Sequence, residues 1–94
     1  MWIDFDPRKD AANRLKHGVS LAMAGELDWE EALVWVDQRA AYGEIRMVAL
    51  APAGIRLYCV AFVDRQDTRR IISLRRANRR EVKHYVRVVE TQAP

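Results

Sequence analysis

A chain of 94 residues leaves room for one domain and not for two. Half of it is hydrophobic, too much for a disordered tail, yet no apolar run nears the roughly 20 residues that cross a bilayer. The net charge of +3 is uneven: residues 1–37 hold four bases against eight acids, and residues 38–94 hold 12 bases against five acids.

Trp2 to Phe5 alternate weakly and read as a short strand. Asp6-Pro7 is a helix start, with Asp6 as N-cap and Pro7 in the first turn. The helix is expected to run to about His17 with Ala11, Ala12 and Leu15 as its apolar stripe, and to end on Gly18. Ser20 caps a second helix over about Leu21–Leu27, with Ala24 and Leu27 facing inward. From Ala32 the period changes to that of a strand, apolar on both faces through Val36. Asp37 to Gly43 reads as a loop, Ile45–Ala51 as a strand, and Pro52-Ala53-Gly54 as a turn. Ile55–Val63 and Thr68–Leu74 are two further strands joined by a tight turn over Asp64–Asp67. Ala77-Asn78 breaks the pattern, and a last helix is expected over about Arg79–Val89 with Val82, Tyr85, Val86 and Val89 as its apolar face. Thr91 to Pro94 are expected to fray. The fold class is therefore α+β. A four-strand antiparallel meander plus a short N-terminal strand packs with two N-terminal helices and one C-terminal helix, in one domain over residues 1–94.

No secretory leader is expected at Met1–Asp6, and the single Cys59 suits a reducing compartment, so a cytoplasmic setting is expected, away from membranes. Two histidines and one cysteine without ligand spacing predict no metal site, and no glycine-rich phosphate loop points to a nucleotide cofactor. What stands out is the stretch from Arg65 to Arg87, with nine bases against Asp67 and Glu81. Arginine forks match phosphate oxygens, so a polyanion such as RNA is one reading; a solvated surface laced with ion pairs is the other. Metal-free RNA cleavage needs only such groups. A base takes the 2′-OH proton, an acid protonates the leaving 5′ oxygen, and cations hold the charge that develops on phosphorus.

On a regular strand Ile71, Ser73 and Arg75 share one face and Arg70, Ile72 and Leu74 the other. Arg75 is then a phosphate clamp or the partner of a carboxylate such as Glu44 or Glu81. Glu44 and Arg46 share a face as base and orienting cation, or as an ordinary charge pair. His17 is a candidate for acid–base work or merely complements its helix dipole. Tyr85 belongs to an apolar stripe with its hydroxyl at the edge.

Phe5-Asp6-Pro7 with Lys9 and Asn13, Lys16-His17-Gly18-Val19-Ser20, Tyr42-Gly43-Glu44 with Arg46, and Arg70-Ile71-Ile72-Ser73-Leu74-Arg75-Arg76-Ala77 with Glu81 and Tyr85 follow in order along the chain. This pattern resembles the BrnT family of type II toxin–antitoxin toxins. The resemblance implies a RelE-like fold, metal-independent endoribonuclease activity that inhibits translation and growth, and neutralisation by a BrnA-like antitoxin. Operator DNA would be met only through that antitoxin. It implies catalytic roles for His17, Glu44, Arg46 and Arg75, with the phosphate held between Arg46 and Arg75. Lys16, Arg70, Ser73, Arg76, Arg79, Glu81 and Tyr85 are the expected substrate contacts. The chain departs from the family in its tryptophan-rich Glu26–Val36 stretch and in His84, which receives no role. The alternative is a basic module without catalysis, or an inactive homologue acting as co-repressor.

Overall fold

The computed structural model describes residues 1–38 and 43–92. Tyr42 and much of the expected loop lie outside these residues, as do Ala93 and Pro94. The elements are β1 (Trp2–Asp4), α1 (Pro7–His17), two 3₁₀ segments (Leu21–Glu26 and Trp29–Glu31), β2 (Leu33–Val36), β3 (Met47–Ala53), β4 (Arg56–Arg65), β5 (Thr68–Arg76) and α2 (Arg79–Gln92). The α+β class is as expected. The second segment is a 3₁₀ turn and not an α-helix, and the turn at Trp29 was not anticipated.

The sheet has five strands in the order β1-β5-β4-β3-β2. Strands β2 to β5 pair antiparallel in succession. β1 instead joins β5 in parallel, with Trp2 opposite Thr68 and Asp4 opposite Arg70, so the sheet is mixed and not purely antiparallel. The reason is topological. About two thirds of the chain separates these two strands, and no hairpin turn dictates their direction.

Strand ends moved where turns proved tighter than expected. β3 continues through Pro52 and Ala53 to a two-residue turn at Gly54-Ile55, with Gly54 at φ 60°. Pro52 is tolerated there because β2 pairs only as far as Leu50, so no neighbour asks for its missing N–H. Its carbonyl accepts the Asp28 N–H at 2.8 Å. β4 and β5 likewise turn over just Gln66-Asp67, with Gln66 at φ 55°.

A bulge has the largest consequence for function. Ala61 faces Ser73 but Phe62 faces Ile71, which leaves Ile72 without an opposite number. The regular alternation on β5 is broken there. Ile71 and Leu74 both sit fully buried in the core, while Arg70, Ser73 and Arg75 pair with Val63, Ala61 and Cys59, alternate residues of β4. The expectation that Arg70 and Arg75 point to opposite faces is thereby corrected.

The core face joins Ala49, Ala51, Tyr58, Val60, Phe62, Ile71 and Leu74 to Leu21, Ala24 and Leu27 of the first 3₁₀ segment. The caps form as expected: Asp6 accepts from Arg8 N–H at 2.8 Å, Ser20 from Ala22 N–H at 3.1 Å, and Gly18 takes φ 71°. The predicted stripe of α1 does not form. Its one buried residue is Asn13, and Leu15 is 91% exposed. α1 attaches by hydrogen bonds to the sheet edge. Asn13 Nδ2 donates to Leu74 O at 2.7 Å and Val19 O at 2.8 Å, and Asn13 Oδ1 accepts from Leu74 N–H at 3.1 Å. One side chain thus replaces a strand neighbour where β1 has ended.

α2 is also oriented differently from expectation. It starts with a capping box, in which Glu81 N–H donates to Asn78 Oδ1 and Asn78 N–H to Glu81 Oε1, both at 2.8 Å. Glu81, Tyr85 and Val88 are its half-buried residues, while Val82, Val86 and Val89 are exposed.

Candidate functional site

The site is assembled from short segments that the sheet brings together. Lys9 of α1, Gly43, Glu44 and Arg46 ahead of β3, Val63 and Arg65 of β4, and Arg70 and Ile72 of β5 line a pocket of about 310 Å³. Four cations and one carboxylate therefore line the same pocket. The bulge at Ile72 is what turns Arg70 toward this face.

Arg65 forks onto Glu44, with Nε at 2.7 Å from Oε2 and Nη2 at 2.5 Å from Oε1. That hydrogen-bonded fork holds the Glu44 carboxyl below its ordinary range, helped by the charges of Arg65 and Arg70. The same pairing raises Arg65. Arg70 Nη1 donates to Asp4 Oδ2 at 2.6 Å across the β1–β5 pair. Both pairs are substantially open to solvent. Exposed pairs of this kind add little to the stability of a fold.

Arg75 is not among the residues lining this pocket. Its Nη1 and Nη2 donate to the two oxygens of Glu81 at 2.8 and 2.9 Å, and Nη1 also reaches Arg76 O at 3.2 Å. The Arg75 hydrogen bond is the main cause that lowers Glu81, and Glu81 in turn raises Arg75. Arg75 thus has the carboxylate partner that the sequence offered as one alternative, and it does not share the pocket of Arg46. The cause is the capping box: it delivers Glu81 to the end of β5. Ser73 lies on the same face, half-buried opposite Ala61.

A second basic surface adjoins this one. Arg79, Arg80, Lys83, His84 and Arg87 of α2, with Glu81 and Leu50, line a groove of about 720 Å³. Leu50, Cys59 and Arg75 stand in register across three strands, and Val63 with Arg70 lies further along β4 at the same parity. The pocket and the groove thus open on one face of the sheet, opposite the core face.

His17 lies elsewhere. It lines a shallow depression with Ser20, Glu26, Tyr58 and Arg76, and Tyr58 belongs to the core face. His17 and Arg76 are therefore together but apart from Glu44, Arg46 and Arg70. Lys16 is exposed in the last turn of α1. Tyr85 Oη donates to Glu31 O at 2.7 Å, and burial raises its hydroxyl, with Glu31 and Asp28 adding to the effect. Arg69 points to the core face, paired with Asp64 at 2.7 Å and stacked over Trp29 and Phe62. Lys9 and Arg65 were given no role from the sequence. The hairpin register that sets Arg65 opposite Thr68 was the available signal, and it required the turn to be placed correctly. Among the described residues no group of three or more His, Cys, Asp or Glu side chains is placed to hold a metal ion. None of the described helices is long and apolar enough to cross a membrane.

Residues 5–81 match the family described as the ribonuclease toxin, BrnT, of type II toxin–antitoxin systems, and the chain belongs to that family. No curated protein matches it significantly.

Proposed function

We propose that this chain is an endoribonuclease that cuts RNA by metal-independent transesterification, with the scissile phosphate in the pocket of Lys9, Arg46, Arg65 and Arg70. The observation that carries the reading is that those four cations line one pocket together with Glu44. The phosphate displaces Glu44 from Arg65 and takes the guanidinium forks itself. Released from the fork, Glu44 recovers basicity and accepts the 2′-OH proton. The 2′ oxygen bonds to phosphorus, the bond to the 5′ oxygen breaks, and Lys9, the one ammonium lining the pocket, protonates the leaving oxygen. The products are a 2′,3′-cyclic phosphate and a 5′-hydroxyl. Arg46, Arg65 and Arg70 stabilise the charge on the phosphorane. Flanking nucleotides follow the same sheet face past Ser73 toward Arg79 and the basic flank of α2. In this reading the meander is RelE-like, the protein acts in the cytoplasm to arrest translation, and a BrnA-like antitoxin covers the basic face.

A second reading places proton transfer at His17, because the same depression holds Arg76. Lys16 would then add charge beside it. The non-catalytic reading draws on the ion pairs that already occupy Arg65, Arg70 and Arg75.

The test is purified protein with RNA in EDTA, followed by analysis of the 3′ ends. Cyclic phosphate ends that vanish in Arg46→Ala and Arg70→Ala but persist in His17→Ala support the pocket. Loss only in His17→Ala supports the second reading. Intact RNA with folded protein, and normal growth on induced expression, refute the nuclease assignment.

A further inference from the structure

The family match ends at Glu81, at the first turn of α2. The rest of that helix carries a feature that the RNA-cutting reading does not use. Val82, Val86 and Val89 are 39%, 44% and 37% exposed, although a valine stripe at this spacing ordinarily faces a core. The helix meets the end of β5 through the Arg75–Glu81 fork and the second 3₁₀ segment through the Tyr85–Glu31 hydrogen bond instead. The valines therefore lie on a flank that the monomer covers only in part, with Val89 at the rim of a depression lined by Glu30, Glu31, Ala32 and Leu33.

Steps of four and three residues make these valines a coiled-coil seam, with β-branched side chains at each layer. Lys83 and Glu90 are exposed and stand seven residues apart, so they take the same position flanking that seam. In an antiparallel pair of identical helices that position meets its own kind. With Val86 at the centre, Val82 packs on Val89 of the second copy, and Lys83 reaches Glu90 of the second copy. The two-fold axis repeats both contacts. A parallel pair would set Lys83 near the neutral Tyr85 and Gln92 positions and gain no ion pair.

We propose that α2 is a self-association surface, on which a second copy of this chain docks antiparallel through Val82, Val86 and Val89 with two reciprocal Lys83–Glu90 pairs. Such an interface is isologous and closes as a dimer. Arg80, His84 and Arg87 lie on the opposite side of the helix, at 100° per residue, so this part of the basic groove stays open in both copies, while Lys83 at its edge turns to the interface. Three valine layers per copy fall short of the roughly 1,200 Å² of a stable interface. Self-association weaker than about 1 µM is therefore expected.

Sedimentation equilibrium of the full chain up to about 1 mM tests this, since millimolar affinities become visible there. The wild-type chain should populate a dimer, and Val86→Asp should abolish it. Lys83→Glu and Glu90→Lys should each weaken it about tenfold, because each places like charges across the seam. Their equimolar mixture should dimerise again, since one chain then carries acids at both flanking positions and the other bases. All three substitutions lie at exposed positions, and matching melting curves establish that the variants are folded. A chain that stays monomeric at the highest concentration overturns the proposal. So does a dimer indifferent to Val86→Asp, or a mixture that associates no better than its components. None of these readouts depends on RNA cleavage.

Discussion

Arg75 offers the sharpest division between a substrate clamp and a bracket that positions α2. Its guanidinium makes two hydrogen bonds to Glu81 and one to the Arg76 carbonyl. The Arg75 side chain is 38% exposed and that of Glu81 21%, so the pair lies between an exposed bridge worth about 0–1 kcal/mol and a buried one whose rupture costs about 3–5 kcal/mol. Removing either partner is expected to cost about 1–2 kcal/mol, the loss being limited because water reaches the orphaned group. For a domain of this size that is a fall of about 5–15 °C in Tm. Glu81→Ala should destabilise more than Arg75→Ala, because it also removes the acceptor of the Asn78 N–H, and the double variant should be little worse than Glu81→Ala alone, with a coupling of about 1 kcal/mol in urea denaturation. RNA cleavage, normalised to the folded fraction, should fall less than about tenfold in both, whereas loss of a charge-stabilising donor such as Arg46 should cost about 100-fold or more. A folded Arg75→Ala protein that melts like the parent and cleaves 100-fold more slowly, beside a fully active Glu81→Ala, would refute the bracket and restore the clamp.

Asn13→Ala should cost about 2–3 kcal/mol in urea denaturation, because three hydrogen bonds to Leu74 and Val19 are lost at about 1 kcal/mol each. Asn13→Asp should cost more, since it turns an acceptor toward two carbonyls; a variant within 0.5 kcal/mol of the parent, roughly the scale of an ordinary surface change, would contradict the edge-capping role. Glu44→Gln should bind RNA at least as tightly as the parent by filter binding, yet cleave about 100-fold more slowly in single turnover, as loss of a general base requires. Equal cleavage would move the proton transfer elsewhere. Acid should destabilise the fold through Glu81 and Asp10. Glu81 is held below its ordinary 4.5 chiefly by Arg75, and Asp10 below 3.8 by the Leu21 N–H and the Ser20 hydroxyl. A lowered carboxyl contributes stability that is complete above its ordinary value and is lost as pH falls through the folded one. Urea midpoints should thus decline below about pH 4.5, and Glu81→Gln should flatten that decline.

Local signals in the sequence predicted local structure well. Asp6-Pro7, Gly18 and Ser20 announced caps through chemistry confined to neighbouring residues, and the caps formed. Alternation located β2 to β5 within about two residues. What the sequence concealed were relations set by distant pairing. The parallel β1 lies 64 residues or more from its partner, as Asp4 opposite Arg70 illustrates. The Ile72 bulge follows from how β4 and β5 settle against each other, and a strand read alone gives no sign of it. Leu15 looked like part of a buried stripe because helix periodicity assumes a face packed on a core. α1 lies at a strand edge, where a polar Asn13 is worth more than a leucine. The same limit governed the site. Glu44, Arg46 and Arg70 were legible as charged candidates, but Lys9 and Arg65 join them only after two hairpin registers and a bulge are known. His17 and Arg75 have the right chemistry and stand in different neighbourhoods.

The carboxylates around the basic face bear on how such a surface coexists with a stable fold. Unpaired, Arg46, Arg65 and Arg70 would repel one another across a pocket of about 310 Å³, and like charges so close destabilise the compact state. Glu44 and Asp4 relieve that repulsion through exposed pairs, which the proposed mechanism exchanges for phosphate. Glu81 acts differently, because it also accepts the Asn78 N–H and so ties the start of α2 to the end of β5. Exposure and the second hydrogen bond therefore separate the two kinds of arginine. In the proposed reading Arg65 and Arg70 are held by partners that the RNA displaces, and Arg75 by a partner whose loss loosens the helix that supplies the second basic surface.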